Sequence, residues 1–170
     1  MKAGFEHHRP LRRSVLLAMA LAPTATWARP QQPSEQPRIG VTLHPYYSFV
    51  ANIVGDKAQV VPLISGDSNP HNYQPQPDDI ARAMEIDALV VNGIGHDEWA
   101  FEIVKAAGRK DTLPIIFANA SVALIPINGD QSDVKVVNPH TFLSISASIA
   151  QVNNIARELG KLDPDNAKTY

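Results

Sequence analysis

No cysteine occurs among the 170 residues. That absence excludes disulfides, thiolate zinc sites and cysteine nucleophiles together, and leaves histidine and carboxylate as the metal donors. Long apolar runs are also missing. The longest candidate near the N-terminus, residues 14–22, is too short to span a bilayer. A complete phosphate-binding glycine loop is absent too, because Gly93-Ile94-Gly95 follows an apolar strand but has no third glycine. Neither a His-Glu-x-x-His helix nor another hydrolase signature is present. What remains is an ordinary globular composition, 44% hydrophobic and 19% charged, at a length suited to one domain.

The first residues carry an export pattern. Arg9, Arg12 and Arg13 precede the apolar run, and small residues follow it, with Thr26-Trp27-Ala28 and Ala20-Leu21-Ala22 as possible cleavage sites. Residues 1–28 are therefore read as a signal peptide directing the chain to the periplasm. The Arg12-Arg13 pair also admits a twin-arginine signal, and a buried helix start is the other reading of the run. The segment holds Lys2, Arg9, Arg12 and Arg13 against Glu6. Taking these from the 15 basic and 17 acidic residues leaves 11 against 16, a net charge of −5. Such a surface repels nucleic acid and suits a cation.

Residues 29–37 are polar and proline-rich and read as a flexible linker. Beyond them strands and helices alternate. Short apolar runs at 38–43, 58–64, 88–91 and 113–117 have strand length, and 122–127 reads as a further short strand. Between them lie helical spacings: Tyr46, Phe49, Val50 and Ile53 after Pro45; Ile80, Ala81 and Met84 after Pro77 or Asp78; Trp99, Ile103 and Val104 up to Gly108. A long amphipathic helix is expected over 142–160, with Ile145, Ile149, Val152, Ile155, Ala156 and Leu159 on its inward face. The order implies an α/β fold: one Rossmann-like lobe whose mostly parallel sheet of about four strands is flanked by helices. Ala88-Leu89-Val90-Val91, apolar on both faces, is the kind of strand such a sheet buries.

Four histidines remain after residue 28: His44, His71, His96 and His140. Each follows a strand or a strand-to-helix turn, the edge where an open α/β sheet binds ligands. Two of them repeat one pattern, Asn69-Pro70-His71-Asn72-Tyr73 and Asn138-Pro139-His140-Thr141-Phe142. In both, a proline restricts the residue before it and an aromatic two places on can pack beneath the imidazole. His71 and His140 are thus the leading metal ligands. A loop histidine taken alone is more often solvated or hydrogen-bonded than a ligand, and that applies to His96 and His44. Asp78, Asp79 and Glu98 read as residues of helix first turns, where the macrodipole favours anions.

These turns, together with 66–79, Asp87-Ala88-Leu89-Val90-Val91-Asn92-Gly93-Ile94-Gly95 and 155–167, resemble the zinc/manganese solute-binding proteins of bacterial ABC transporters. The resemblance implies two α/β lobes joined by one long helix, with Zn²⁺ or Mn²⁺ held between them for delivery to an inner-membrane permease. It implies a receptor and not an enzyme, monomeric, with His71 and His140 as the ligands of the N-terminal lobe. On that pattern residues 38–162 are the metal-binding N-terminal lobe and 163–170 begin a truncated linking helix, so that the second lobe is missing. Asn138 stands where the family usually has aspartate, Phe142-Leu143-Ser144-Ile145 where it has Trp-Leu-Asp-Pro, and Gln74 where glutamate is common; 129–135 take the place of a histidine-rich loop. Zinc prefers four donors, so His96 or His44 is expected to add to the pair, with water completing the shell. The other readings are a metal-dependent hydrolase using Asp97 or Glu98 as general base, and a receptor fragment without function.

Overall fold

The computed structural model describes residues 36–127 and 136–170. The expected signal peptide, most of the expected linker, and all of the segment standing in for a histidine-rich loop lie outside the described residues. Four parallel strands form one sheet: β1 (Arg38–Val41), β2 (Gln59–Pro62), β3 (Ala88–Val91) and β4 (Ile115–Phe117), in the spatial order β2-β1-β3-β4. Four α-helices accompany them: α1 (His44–Val54), α2 (Pro77–Glu85), α3 (Trp99–Ala106) and α4 (Ile145–Leu162). The expected α/β lobe is what the chain forms. Among the described residues no helix is long and apolar enough to cross a membrane.

The sheet is buried on both faces, which is why β3 is a continuous apolar run. Successive side chains of a strand point to opposite faces. Accordingly Ala88 and Val90 join Ile39, Val41, Tyr46, Val50, Ile116, Ile155 and Leu159 in the cluster that includes α1 and α4. Leu89 and Val91 join Leu63, Ala83, Ile86, Trp99, Ile103 and Val104 in the cluster that includes α2 and α3. Gly40 in β1 has a structural reason to be glycine: an added Cβ would lie 2.5 Å from Ile86 Cδ1.

The chain leaves β1 through α1 to β2 on one side, then returns through α2 to β3 on the other side of β1. That reversal puts the loops after β1 and β3 side by side, with Thr42 N donating to Val90 O at 3.2 Å. In open α/β sheets a crevice forms at this point.

Four expectations are corrected. In α2 the inward residues are Asp79 and Ala83, with Ile80 half-buried, whereas Ala81 is exposed and Met84 is 61% exposed. The buried place goes to a carboxylate because that carboxylate is fully partnered: Asp79 accepts from Gln76 N, Tyr73 Oη and Arg82 Nη2 at 2.8, 2.7 and 2.5 Å. The long helix begins at Ile145, and its buried residues are Gln151, Asn154, Ile155 and Leu159, while Ile145 and Ile149 face solvent. Two buried amides set that rotation, Asn154 Nδ2 donating to Phe117 O at 2.7 Å and Gln151 Nε2 to Asn119 Oδ1 at 2.9 Å.

Residues 122–127 form no strand, only an isolated antiparallel bridge between Pro126 and Val137. Proline has no N–H to extend a ladder. Beyond Asp163 the expected helix start is instead a run of turns over 164–169. Asp163 Oδ2 accepts from Asn166 Nδ2 and Tyr170 Oη at 2.9 and 2.6 Å, folding Tyr170 back against the α1 and α4 side of the core.

Candidate metal centre

Both Asn-Pro-His turns have the same local device. Asn69 Oδ1 accepts from the backbone N–H of His71 at 3.1 Å, and Asn138 Oδ1 from that of His140 at 2.9 Å. Each asparagine thereby bends the chain over its proline and fixes the histidine's backbone, as asparagine does in Asx turns. The aromatics differ in use. Tyr73 packs edge-on against Trp99 at 5.1 Å between ring centroids, while Phe142 lies 5.9 Å from the ring of His140.

The turns deliver His71 and His140 to one place, and the loop after β3 delivers His96 to the same place. Ligand nitrogens of these three imidazoles all lie within 4.8 Å of one another. The rings of His71 and His96 are 3.9 Å apart, those of His96 and His140 4.3 Å and perpendicular. His96 has a left-handed backbone, φ 84°, and is the one non-glycine residue among the described residues with a positive φ. Such strain persists where surrounding contacts over-determine it. Here they do: Asn92 Nδ2 donates to Gly95 O at 2.7 Å, and Trp99 Nε1 donates to His96 O at 3.0 Å and to Pro70 O at 3.1 Å. The indole therefore ties the His96 loop to the His71 turn.

The ring nitrogens define how a cation would be held. Asn138 Oδ1 lies 3.0 Å from His140 Nδ1 and can only accept, so the His140 proton sits on Nδ1 and Nε2 presents a lone pair. An acceptor bonded to the ring nitrogen that does not face the metal orients histidine ligands in this way. His140 Nε2 is 2.8 Å from His96 Nε2, a contact that needs His96 to donate. His96 Nδ1 is then a bare acceptor, and it is buried with no hydrogen-bond partner among the described residues. Two nitrogens bound to one tetrahedral zinc at about 2.0–2.1 Å stand about 3.3–3.4 Å apart, so the pair would open by roughly half an ångström as a cation replaced the shared proton. Burial, and then the neighbouring His71 and His140, push the His96 pKa below its ordinary value. Its unprotonated form, the one that ligates, is favoured.

Three imidazoles suit zinc, nickel, copper or cobalt better than magnesium or calcium. His71 and His96 also line a cavity of about 310 Å³ that Glu98 and Glu102 share. Glu98 is exposed there. His44 is not brought to the cluster: it is the exposed first residue of α1, 6.4 Å from the Tyr47 ring, and shares only a larger apolar cavity of about 420 Å³ with His96.

Asp97 is not available as a general base. Its carboxylate is buried and accepts from Asn92 N at 2.6 Å, Thr42 Oγ1 at 2.6 Å and Gly93 N at 3.1 Å, which clamps the loop that carries His96. Burial raises its pKa, and these donors work against that rise. Behind the cluster lies a buried polar network that sequence reasoning missed. Tyr46 Oη donates to Asn92 Oδ1 at 2.6 Å, Asn119 Nδ2 to Asn92 Oδ1 at 2.8 Å, and Thr141 Oγ1 to Asn119 Oδ1 at 2.8 Å. The available signal was Asn92 itself, a polar residue closing an otherwise apolar buried strand.

The chain is similar to known proteins over most of its length. The family model for the zinc-uptake complex component A, periplasmic, matches residues 39–170. A metal ABC transporter substrate-binding lipoprotein of Streptococcus sanguinis is 32% identical over 123 residues, 70% of this chain and 40% of that protein. The high-affinity zinc uptake system protein ZnuA of Bacillus subtilis is 28% identical over 166 residues, 91% of this chain and 51% of that protein. Among solved structures, the solute-binding protein FpvC of Pseudomonas aeruginosa in complex with Mn²⁺ is 58% identical, with a TM-score of 0.72 over 79% of this chain and 48% of that one. The chain spans about half the length of these relatives. Matched from residue 39 to residue 170, the chain belongs to the family described as zinc-uptake complex component A, periplasmic.

Proposed function

We propose that this lobe holds a divalent transition-metal ion, Zn²⁺ or Mn²⁺, as the receptor component of an ABC-type uptake system, and passes it to a membrane permease. The observation that carries the reading is the convergence of His71, His96 and His140 from three separate loops. His71 and His140 are its principal ligands and His96 the third. A water or a carboxylate takes the next position. The metal is cargo here, and the protein makes and breaks no covalent bond in carrying it.

The relatives supply the transport context: they are named as zinc-uptake and metal ABC transporter substrate-binding proteins, some of them manganese proteins. Export to the periplasm and action as a monomer belong to the same reading. Between the two metals, an all-imidazole set favours zinc, whereas manganese accepts more carboxylate. The test is calorimetric titration of the metal-free chain with Zn²⁺ and Mn²⁺, beside turnover assays with esters and phosphoesters. Stoichiometric binding without turnover, lost in the His71→Ala/His140→Ala double variant and weakened in His96→Ala, is the expected result. Unchanged affinity in the double variant overturns the reading.

A further inference from the structure

Asn92 closes β3 and is fully buried. Its side-chain nitrogen donates twice, to Gly95 O at 2.7 Å and to Pro139 O at 3.1 Å. Those two carbonyls belong to the residues immediately before His96 and His140. One amide group therefore holds the backbones of two imidazole-bearing loops that are 44 positions apart in sequence. The rest of the residue is anchored to the scaffold. Oδ1 accepts from Tyr46 Oη of α1 and from Asn119 Nδ2 beyond β4, the backbone N–H donates to Asp97 Oδ2, and the backbone carbonyl accepts from Asn119 Nδ2 at 3.0 Å. Every donor of Asn92 is in use. Only a carboxamide side chain fits both demands, because it must accept on one side and donate twice on the other.

We propose that Asn92 is the positioning residue of the metal centre: by hydrogen-bonding to Gly95 O and Pro139 O together it sets the separation of the His96 and His140 imidazoles, and with it the coordination geometry a cation meets. The inference rests on the metal-binding reading above. Asn92 touches no ligand atom and acts through the two backbones. The left-handed φ values of Gly95, 111°, and His96, 84°, are what this clamp has to hold. With the clamp released, the loop after β3 relaxes and His96 swings away from His140, whose own turn stays in place through Asn138. Supporting interactions outside the ligand shell change metal affinity by about 10–100-fold when removed.

The experiment uses Co²⁺ as the probe, since its visible d–d bands report coordination geometry independently of fold stability. Asn92→Asp keeps the size and the acceptor but replaces the double donor with a carboxylate facing two carbonyls. Expected are a shifted and weakened Co²⁺ spectrum and about 10–100-fold weaker Zn²⁺ binding. Asn154→Ala serves as the control. It removes a buried amide that bonds Phe117 O and contacts neither histidine loop, so it lowers stability and leaves the Co²⁺ spectrum as in the wild type. A folded Asn92→Asp protein with the wild-type spectrum and affinity overturns the proposal.

If Asn92→Asp does not fold, through-hydrogen-bond couplings in labelled, zinc-loaded wild-type protein decide instead. Couplings from Asn92 Nδ2 to the carbonyl carbons of Gly95 and Pro139 support the clamp, and their absence overturns it. A wild-type chain that gives no Co²⁺ spectrum at all removes the metal-centre reading itself, a failure distinct from an unaltered variant.

Discussion

Substituting Asp79 by alanine is the perturbation whose size the structure sets most directly. Asp79 is wholly buried at the third residue of α2 and accepts three hydrogen bonds, from Gln76 N, Tyr73 Oη and Arg82 Nη2. A hydrogen bond to a charged group is worth about 1.5–3 kcal/mol net. The Arg82 pair is discounted because that side chain is 34% exposed and finds water when its partner is gone. The N–H of Gln76 and the hydroxyl of Tyr73 are partly exposed as well. The sum for Asp79→Ala is therefore about 3 kcal/mol. At roughly 2–4 °C per kcal/mol for a unit of this size, the melting temperature falls by about 6–12 °C.

A second readout belongs to Tyr73. Burial first, and Asp79 after it, push its phenol up to about 12. Because the folded value is raised, this group's stabilising contribution is complete below its ordinary value and is lost as pH rises through about 12. In Asp79→Ala the Tyr73 phenolate should appear at lower pH than in the wild type, though still above the ordinary value because burial remains. Denaturant melts and phenolate absorbance measure the two effects. A variant within about 1 kcal/mol of wild type, with an unmoved Tyr73 titration, would show that Asp79 is not held by these three hydrogen bonds.

Three further outcomes are expected. Gly93→Ala should cost about 2–3 kcal/mol and weaken metal binding, since the residue has φ 73° and an added Cβ would lie 2.5 Å from Phe117 Cδ1; denaturant melts with zinc titration check this. Gly40→Ala should lower stability by about 1–3 kcal/mol without altering metal affinity, because its collision is with Ile86 on the sheet and not with the site. His96, whose pKa is lowered by burial and by His71 and His140, adds stability above its ordinary pKa that is lost as pH falls through the lowered folded value. Its ring proton shift, followed by nuclear magnetic resonance in the metal-free protein, should titrate with a midpoint below 6.5, and a midpoint above that contradicts the buried placement.

The alternation of strands and helices was legible because a doubly covered sheet demands continuous apolar strands, and Ala88-Leu89-Val90-Val91 is one. The two Asn-Pro-His turns were legible as devices for placing imidazoles: each asparagine fixes its histidine's backbone, but the aromatic two places on lies beside the ring at His140, whereas Tyr73 packs on Trp99 instead. Less legible were the inward faces of α2 and α4. Periodicity counts apolar residues, but Asp79, Gln151 and Asn154 are buried polar groups whose partners come from elsewhere in the chain, and they set the rotation of their helices. Proline defeated the strand expected over 122–127. His96 could be placed on the rim, yet nothing in sequence spacing distinguished it from His44. What separates them is the strained loop 93–96, held by Asn92, Trp99 and Asp97, whereas His44 heads a helix and points to solvent. That difference is tertiary and has no local signature.

Everything proposed for the site depends on one cation being bound by three imidazoles. The most direct measurement is a crystal structure of the zinc-soaked chain, recorded at wavelengths on either side of the zinc edge. One anomalous peak is expected, with nitrogens of His71, His96 and His140 each at about 2.0–2.1 Å. A zinc peak bound elsewhere, with these three rings left as they stand in the metal-free protein, would contradict it.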